Sequence, residues 1–69
     1  MLNEKLLRAK LKAERYSTSS FAKAMQLSVP TMARKLSGVS DFKVGEIDRV
    51  KELLRLTDLE LIEIFFKKK

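Results

Sequence analysis

The stretch FAKAMQLSVPTMARKLSG, residues 21–38, leaves the chain few ways to fold. Phe21, Ala22 and Met25 have the i, i+1, i+4 spacing that places apolar side chains on one helix face. The pattern breaks at QLS and restarts beyond Pro30. Ser28 is a good N-cap, because its hydroxyl can accept a hydrogen bond from the backbone of the next turn. Pro30 then falls in the first turn of a new helix, where a missing N–H costs little. Gly38 sits just past Leu36, where a left-handed C-cap is wanted. With Ser17 as the preceding N-cap, residues 17–37 read as two helices of about eight residues joined by a turn of roughly three to four.

The rest of the chain extends this pattern to five helices. A first helix runs over roughly Asn3–Arg15, with Leu2, Leu6, Ala9 and Ala13 on one side and Leu7 and Leu11 on another. Lys5, Arg8, Lys12 and Arg15 form a basic stripe on a third side. After a loop at VSDF, a fourth helix covers roughly Val44–Leu54, with Ile47, Val50 and Leu54 on one face. TDLE is a capping box, Thr57 with Glu60, and opens a fifth helix reaching the lysines 67–69, which suit the negative end of its dipole. With few glycines, one proline and no β-branched runs, the expected class is all-α, a single domain over residues 1–69. Phe21, Met25, Met32 and Phe42 are expected in the core and Tyr16 at its boundary.

Charge narrows the function. The net charge is +6, and residues 1–15 and 16–38 each carry a balance of +3, whereas residues 39–69 balance to zero. Residues 16–38 hold no acid at all. A basic half on a small domain points to an anionic partner, nucleic acid first. The chain has no histidine and no cysteine, which removes the usual general base, the commonest metal ligand and any disulfide. No pair of carboxylates suggests a shared buried site, and so small a domain is expected to have little room for a pocket of about 300 Å³ or more. An enzyme is therefore not expected, nor a cofactor, a metal or a small-molecule ligand. The apolar runs are far short of the ~20 residues that span a bilayer, and the charged N-terminus lacks a signal-peptide core. The expected location is the cytoplasm, on the nucleoid.

Within residues 17–37, Phe21, Ala22, Met25, Leu27 and Met32 are the inward positions. Val29, Pro30, Thr31, Arg34 and Lys35 are expected to face outward. A short helix with small residues at its start and two cations beyond suits a major groove about 12 Å wide.

These residues resemble the helix-turn-helix of the lambda-repressor-like family, which includes phage repressors and Cro-type proteins. The matching positions are Phe21, Ala22, Met25, Leu27, Ser28, Thr31, Met32, Arg34 and Gly38, with one helix before the motif and two after it. The later segment DFKVGEIDRVKELLRLTDLELIEIFF is similar to small regulators encoded by phages and prophages of Gram-positive bacteria. The resemblance implies a sequence-specific regulator that binds a double-stranded DNA operator and occludes a promoter. It implies that Val29, Pro30, Thr31 and Arg34 face the bases, and that Thr18, Ser28, Lys35 and Lys43 lie on phosphates. Two departures stand out. Leu11 and Leu36 occupy the places where many members pair an arginine with a glutamate, and an apolar pair can replace such an ion pair. Val29 and Pro30 stand where glutamine or asparagine is common.

The fifth helix is apolar on two sides. Leu59, Ile62 and Phe66 share one, and Leu61, Ile64 and Phe65 the other. One side can pack on the domain and the other is a candidate dimer or partner face, within Leu61, Ile64, Phe65 and Phe66. The second reading of the chain is accordingly a protein-interaction module, such as an antirepressor or an antitoxin-like partner of another regulator.

Overall fold

A computed structural model of the chain describes residues 2–66. It contains five α-helices: α1 (Glu4–Ala13), α2 (Thr18–Ala24), α3 (Val29–Leu36), α4 (Val44–Leu54) and α5 (Asp58–Phe65). No strand occurs among the described residues. The expected lysine-rich last turn, residues 67–69, lies outside them.

Local chemistry starts each helix. Asn3 Oδ1 accepts from the Leu6 N–H at 3.2 Å. Ser17 and Ser20 form a reciprocal box, each hydroxyl accepting the other's backbone N–H, at 3.0 and 2.9 Å. Ser28 Oγ accepts from the Thr31 N–H at 3.2 Å. Thr57 and Glu60 form the expected box, at 3.1 and 2.9 Å. Each of these bonds satisfies a donor that the helix itself leaves without a partner.

The first four helices end in one way. A left-handed residue follows each, and the next N–H reaches back five residues. These bonds run from Tyr16 to the Leu11 carbonyl, Leu27 to Ala22, Val39 to Arg34 and Leu56 to Lys51, at 2.9, 2.9, 2.9 and 3.0 Å. Only α3 places glycine at the left-handed position, Gly38 with φ 82°; the others use Arg15, Gln26 and Arg55. α1 therefore stops at Ala13 rather than Arg15, because Arg15 has turned to φ 63°.

The core draws on every helix: Leu7 and Leu11, Phe21, Ala22 and Met25, Met32 and Leu36, Val50 and Leu54, Leu56, and Ile64. Leu11 and Leu36 both belong to it. On α1 the Leu7–Leu11 side is the buried one, Leu2 and Leu6 pack at its margin, and Ala9 and Ala13 are exposed. Tyr16 closes the boundary edge-to-face on Phe21 at 5.1 Å, and Phe42 meets Phe65 in the same way at 5.4 Å. Ion pairs Lys10–Glu60, Lys51–Asp58 and Glu14–Arg55 tie helices together at the rim. They are exposed enough to contribute little each.

Candidate nucleic-acid interface

α2 and α3 pack directly on one another, and Phe21, Ala22, Met25 and Met32 are buried in the shared core. Ala22 is buried and has no side chain beyond Cβ, which leaves room for a neighbouring helix there. Leu27 in the connecting turn is half-buried against the core.

With 100° of rotation per residue, Pro30 and Arg34 lie on the face of α3 opposite Met32 and Leu36. Both are exposed, as are Ala33 beside them and Val29 at the first turn. Thr31 is half-buried, and its Oγ1 accepts from the Ser28 hydroxyl at 2.8 Å. The Ser28 hydroxyl is thus engaged twice with Thr31, across the first turn of α3. Thr18, half-buried, is the first residue of α2. Lys43 is exposed at the N-cap of α4. The exposed face of α3 carries no carboxylate, and the Arg34 guanidinium makes no ion pair with the described residues. On α1, Lys5, Arg8 and Lys12 are exposed, as is Arg15 in the turn after it, with Arg8 paired to Glu4 at 2.8 Å.

Lys35 does not face outward. It is 6% exposed, and its ammonium donates to Glu46 Oε1 at 2.8 Å and to the Asp41 carbonyl at 2.9 Å. It also lies 5.8 Å from the centre of the Phe42 ring. Lys35 is one residue on from Arg34, and that single step of rotation carries it from solvent onto the loop before α4. Its charge is already matched there, so the expected phosphate contact is withdrawn. The Glu46 carboxyl feels opposing effects. Burial pushes it up, but the bonds from Lys35 and the Lys43 N–H, with the charges of both lysines, outweigh that and hold it below the usual carboxylate range.

The expected partner face on α5 is also revised. Ile64 is fully buried, and Leu61 and Phe65 pack on the core, because their side of the helix is turned inward. Of the four residues expected there, only Phe66 is exposed. It shares the outer side with Leu59 and Ile62, at 58%, 68% and 49% exposure. Periodicity identified both sides; the packing of the other four helices decided between them. A groove of about 350 Å³, lined by Leu2, Phe42, Val44, Ile47, Phe65 and Phe66 and edged by Asp41, lies next to this end of α5. It is larger than the chain's length led us to expect.

Glu46 was not among the expected site residues. Its signal was present: a carboxylate three residues after an N-cap position accepts that residue's backbone N–H. Among the described residues, no group of three or more histidine, cysteine or acidic side chains is arranged to hold a metal ion, and no helix is long and apolar enough to cross a membrane. The chain matches no protein-family model and none of the curated proteins.

Proposed function

We propose that this chain is a sequence-specific double-stranded DNA-binding regulator of the lambda-repressor-like, helix-turn-helix type. In this reading α2 lies across the DNA backbone and α3 enters the major groove. The observation that carries it is the outer face of α3, where Pro30 and Arg34 stand exposed on an α2–α3 unit free of acidic residues. A carboxylate there would be repelled by phosphate, whereas a guanidinium can bond O6 and N7 of guanine together. Val29 and Pro30 offer apolar contact, suited to a thymine methyl. Thr31 is at the margin of the face. Thr18, Ser28 and Lys43 lie at the starts of α2, α3 and α4, where the positive ends of the helices and the lysine suit backbone phosphates. The protein acts by occupancy, as a small repressor of phage or prophage type blocking a promoter in the cytoplasm. It is a binder rather than an enzyme.

Selection of duplexes from a random pool, followed by footprinting across a salt series, tests this. A selected sequence with a protected site and affinity that falls steeply with salt is the expected result. Equal, weak binding to every duplex would remove the sequence-specific reading.

A second reading has its own observation. Leu59, Ile62 and Phe66 expose an apolar face that contact with DNA does not explain. It suits a protein-interaction module, a homodimer contact or a dock for another regulator. Sedimentation of the free protein at tens of micromolar distinguishes a self-associating chain from a monomer.

A further inference from the structure

Arg34 lies in α3 and Lys43 is the N-cap of α4, and the loop of residues 37–43 sets their separation. Both ends of that loop are tied down. At the α3 end, the Arg34 carbonyl accepts from the Val39 N–H at 2.9 Å, the Ser40 N–H at 3.2 Å and the Ser37 hydroxyl at 3.1 Å. At the α4 end, the tie is a single carboxylate oxygen. Glu46 Oε1 accepts from the Lys35 ammonium at 2.8 Å and from the backbone N–H of Lys43 at 2.9 Å. The same ammonium donates to the Asp41 carbonyl at 2.9 Å, in the middle of the segment. Lys35 thus grips the loop at Asp41 and, through Glu46, at Lys43, while it sits in α3 next to Arg34.

We propose that Lys35 is a positioning residue of the DNA interface, fixing Lys43 relative to Arg34 so that both meet one duplex without rearrangement. This rests on the regulator reading above. The chemistry is suited to the task. A buried ammonium is no more stabilising than a well-packed apolar residue would be, but it has direction, and each donor must find its acceptor. A loop held in its bound geometry before association loses less freedom on binding. The cation therefore acts on DNA through the loop rather than by touching phosphate.

A double-mutant cycle read in DNA affinity tests the proposal on the full chain and its selected duplex. Lys35→Met keeps an unbranched apolar stem against Phe42 and removes the ammonium. Lys43→Ala removes the exposed cation. In the parent chain Lys43→Ala should weaken binding roughly tenfold and lower the salt slope by about one. In the Lys35→Met chain, folded by circular dichroism, Lys43→Ala should have little further effect, and the base preference attributed to Arg34 should persist. A residue that served stability alone would not couple to Lys43 in this way. Additive losses, or a Lys35→Met protein with the affinity and salt slope of its parent, overturn the proposal. If Lys35→Met does not fold, Glu46→Ala, which removes the oxygen that accepts from both Lys35 and the Lys43 N–H, carries the same cycle with the same two outcomes. A parent chain that selects no duplex overturns the regulator reading instead, and this proposal with it.

Discussion

α3 and α5 are each eight residues long, and each lays one face on the same core, yet they leave opposite surfaces in water. α3 exposes Val29, Pro30, Ala33 and Arg34, whereas α5 and its C-cap expose Leu59, Ile62 and Phe66. Burial is similar in kind and says nothing about partners; the outer faces differ, and they separate the two readings of function. A polyanion suits α3 and, among the described residues, finds no cation on the outer face of α5. An apolar partner suits α5 and finds a charged guanidinium on α3. The helices are also anchored differently. α3 is held to α4 by the pair of buried Lys35 with half-buried Glu46, and α5 is held by the more exposed pairs of Lys10 with Glu60 and Lys51 with Asp58.

The sharpest way to break the comparison is to charge each side of α5 in turn. Phe65→Lys puts an ammonium against Phe42 and the core. Loss of a fully buried ring costs about 3–5 kcal/mol; Phe65 is half-buried, so its loss costs less, but the added ammonium against the core brings the total toward the whole stability of a small domain. We expect that variant to be unfolded in water. Phe66→Lys should stay within about 0.5 kcal/mol of its parent in urea melts, since its side chain is exposed. If the parent self-associates through this face, the same variant should sediment as a monomer. A well-folded Phe65→Lys protein would mean that the inner and outer sides of α5 are exchanged.

The anchors are compared by pH. The Glu46 carboxyl is lowered in the folded chain, so its contribution to stability is full above about pH 5 and is lost as pH falls through that lowered value. Asp58, bonded to Lys51, and Glu60, bonded to Lys10 and the Thr57 N–H, are lowered as well, with the same sign. Their exposure makes each effect slight. Glu46→Gln should cost about 1–3 kcal/mol at neutral pH and flatten the acid limb of a urea-melt series run from pH 7 to pH 3. Asp58→Asn should move both far less. Equal effects would mean that α3 is no more firmly anchored than α5.

Arg34→Ala addresses the outer face of α3. Its side chain is exposed, so melts should be unchanged within about 0.5 kcal/mol. Binding to the selected duplex should weaken by about 1–3 kcal/mol, with preference relaxed at one base pair. Leu59→Ser should do neither. Full affinity and full preference in Arg34→Ala would remove α3 as the reading element.

What could be read from the residues follows the range of the interactions. Ser17, Ser28 and Thr57 were legible as caps because each acts on a backbone group three residues away. Gly38 was legible because a left-handed turn favours glycine. The four later helices fall within a residue or so of their expected bounds among the described residues, for these reasons in α2, α3 and α5 and from the spacing of Ile47, Val50 and Leu54 in α4. The inner side of α5 was not legible, since two apolar sides compete and only packing against the other helices chooses. Lys35 was misread because its partner, Glu46, is eleven residues on and in another helix. The left-handed Arg15, Gln26 and Arg55 were missed because nothing in their side chains requires that conformation. The apolar residue after each, Tyr16, Leu27 and Leu56, was the available signal, since it folds back on the core.

Those left-handed residues give the smallest effect and the closest match between the two helices. Gln26, at φ 59°, precedes the turn into α3, and Arg55, at φ 54°, precedes the turn into α5. A side chain in this region is strained by contact between Cβ and the backbone, and glycine relieves it. Glycine also makes the unfolded chain more flexible, which returns part of the gain. Gln26→Gly should therefore stabilise by about 0.5–1 kcal/mol in urea melts. Arg55→Gly relieves the same strain but loses the 3.8 Å pair with Glu14, in which the arginine is largely exposed. Such a pair contributes a few tenths of a kcal/mol, roughly, and is screened by salt. The gain from Arg55→Gly should be the smaller of the two at low ionic strength and approach that of Gln26→Gly as salt rises. A loss of stability in Gln26→Gly would mean that the glutamine side chain holds the α2–α3 turn by contacts worth more than its backbone strain.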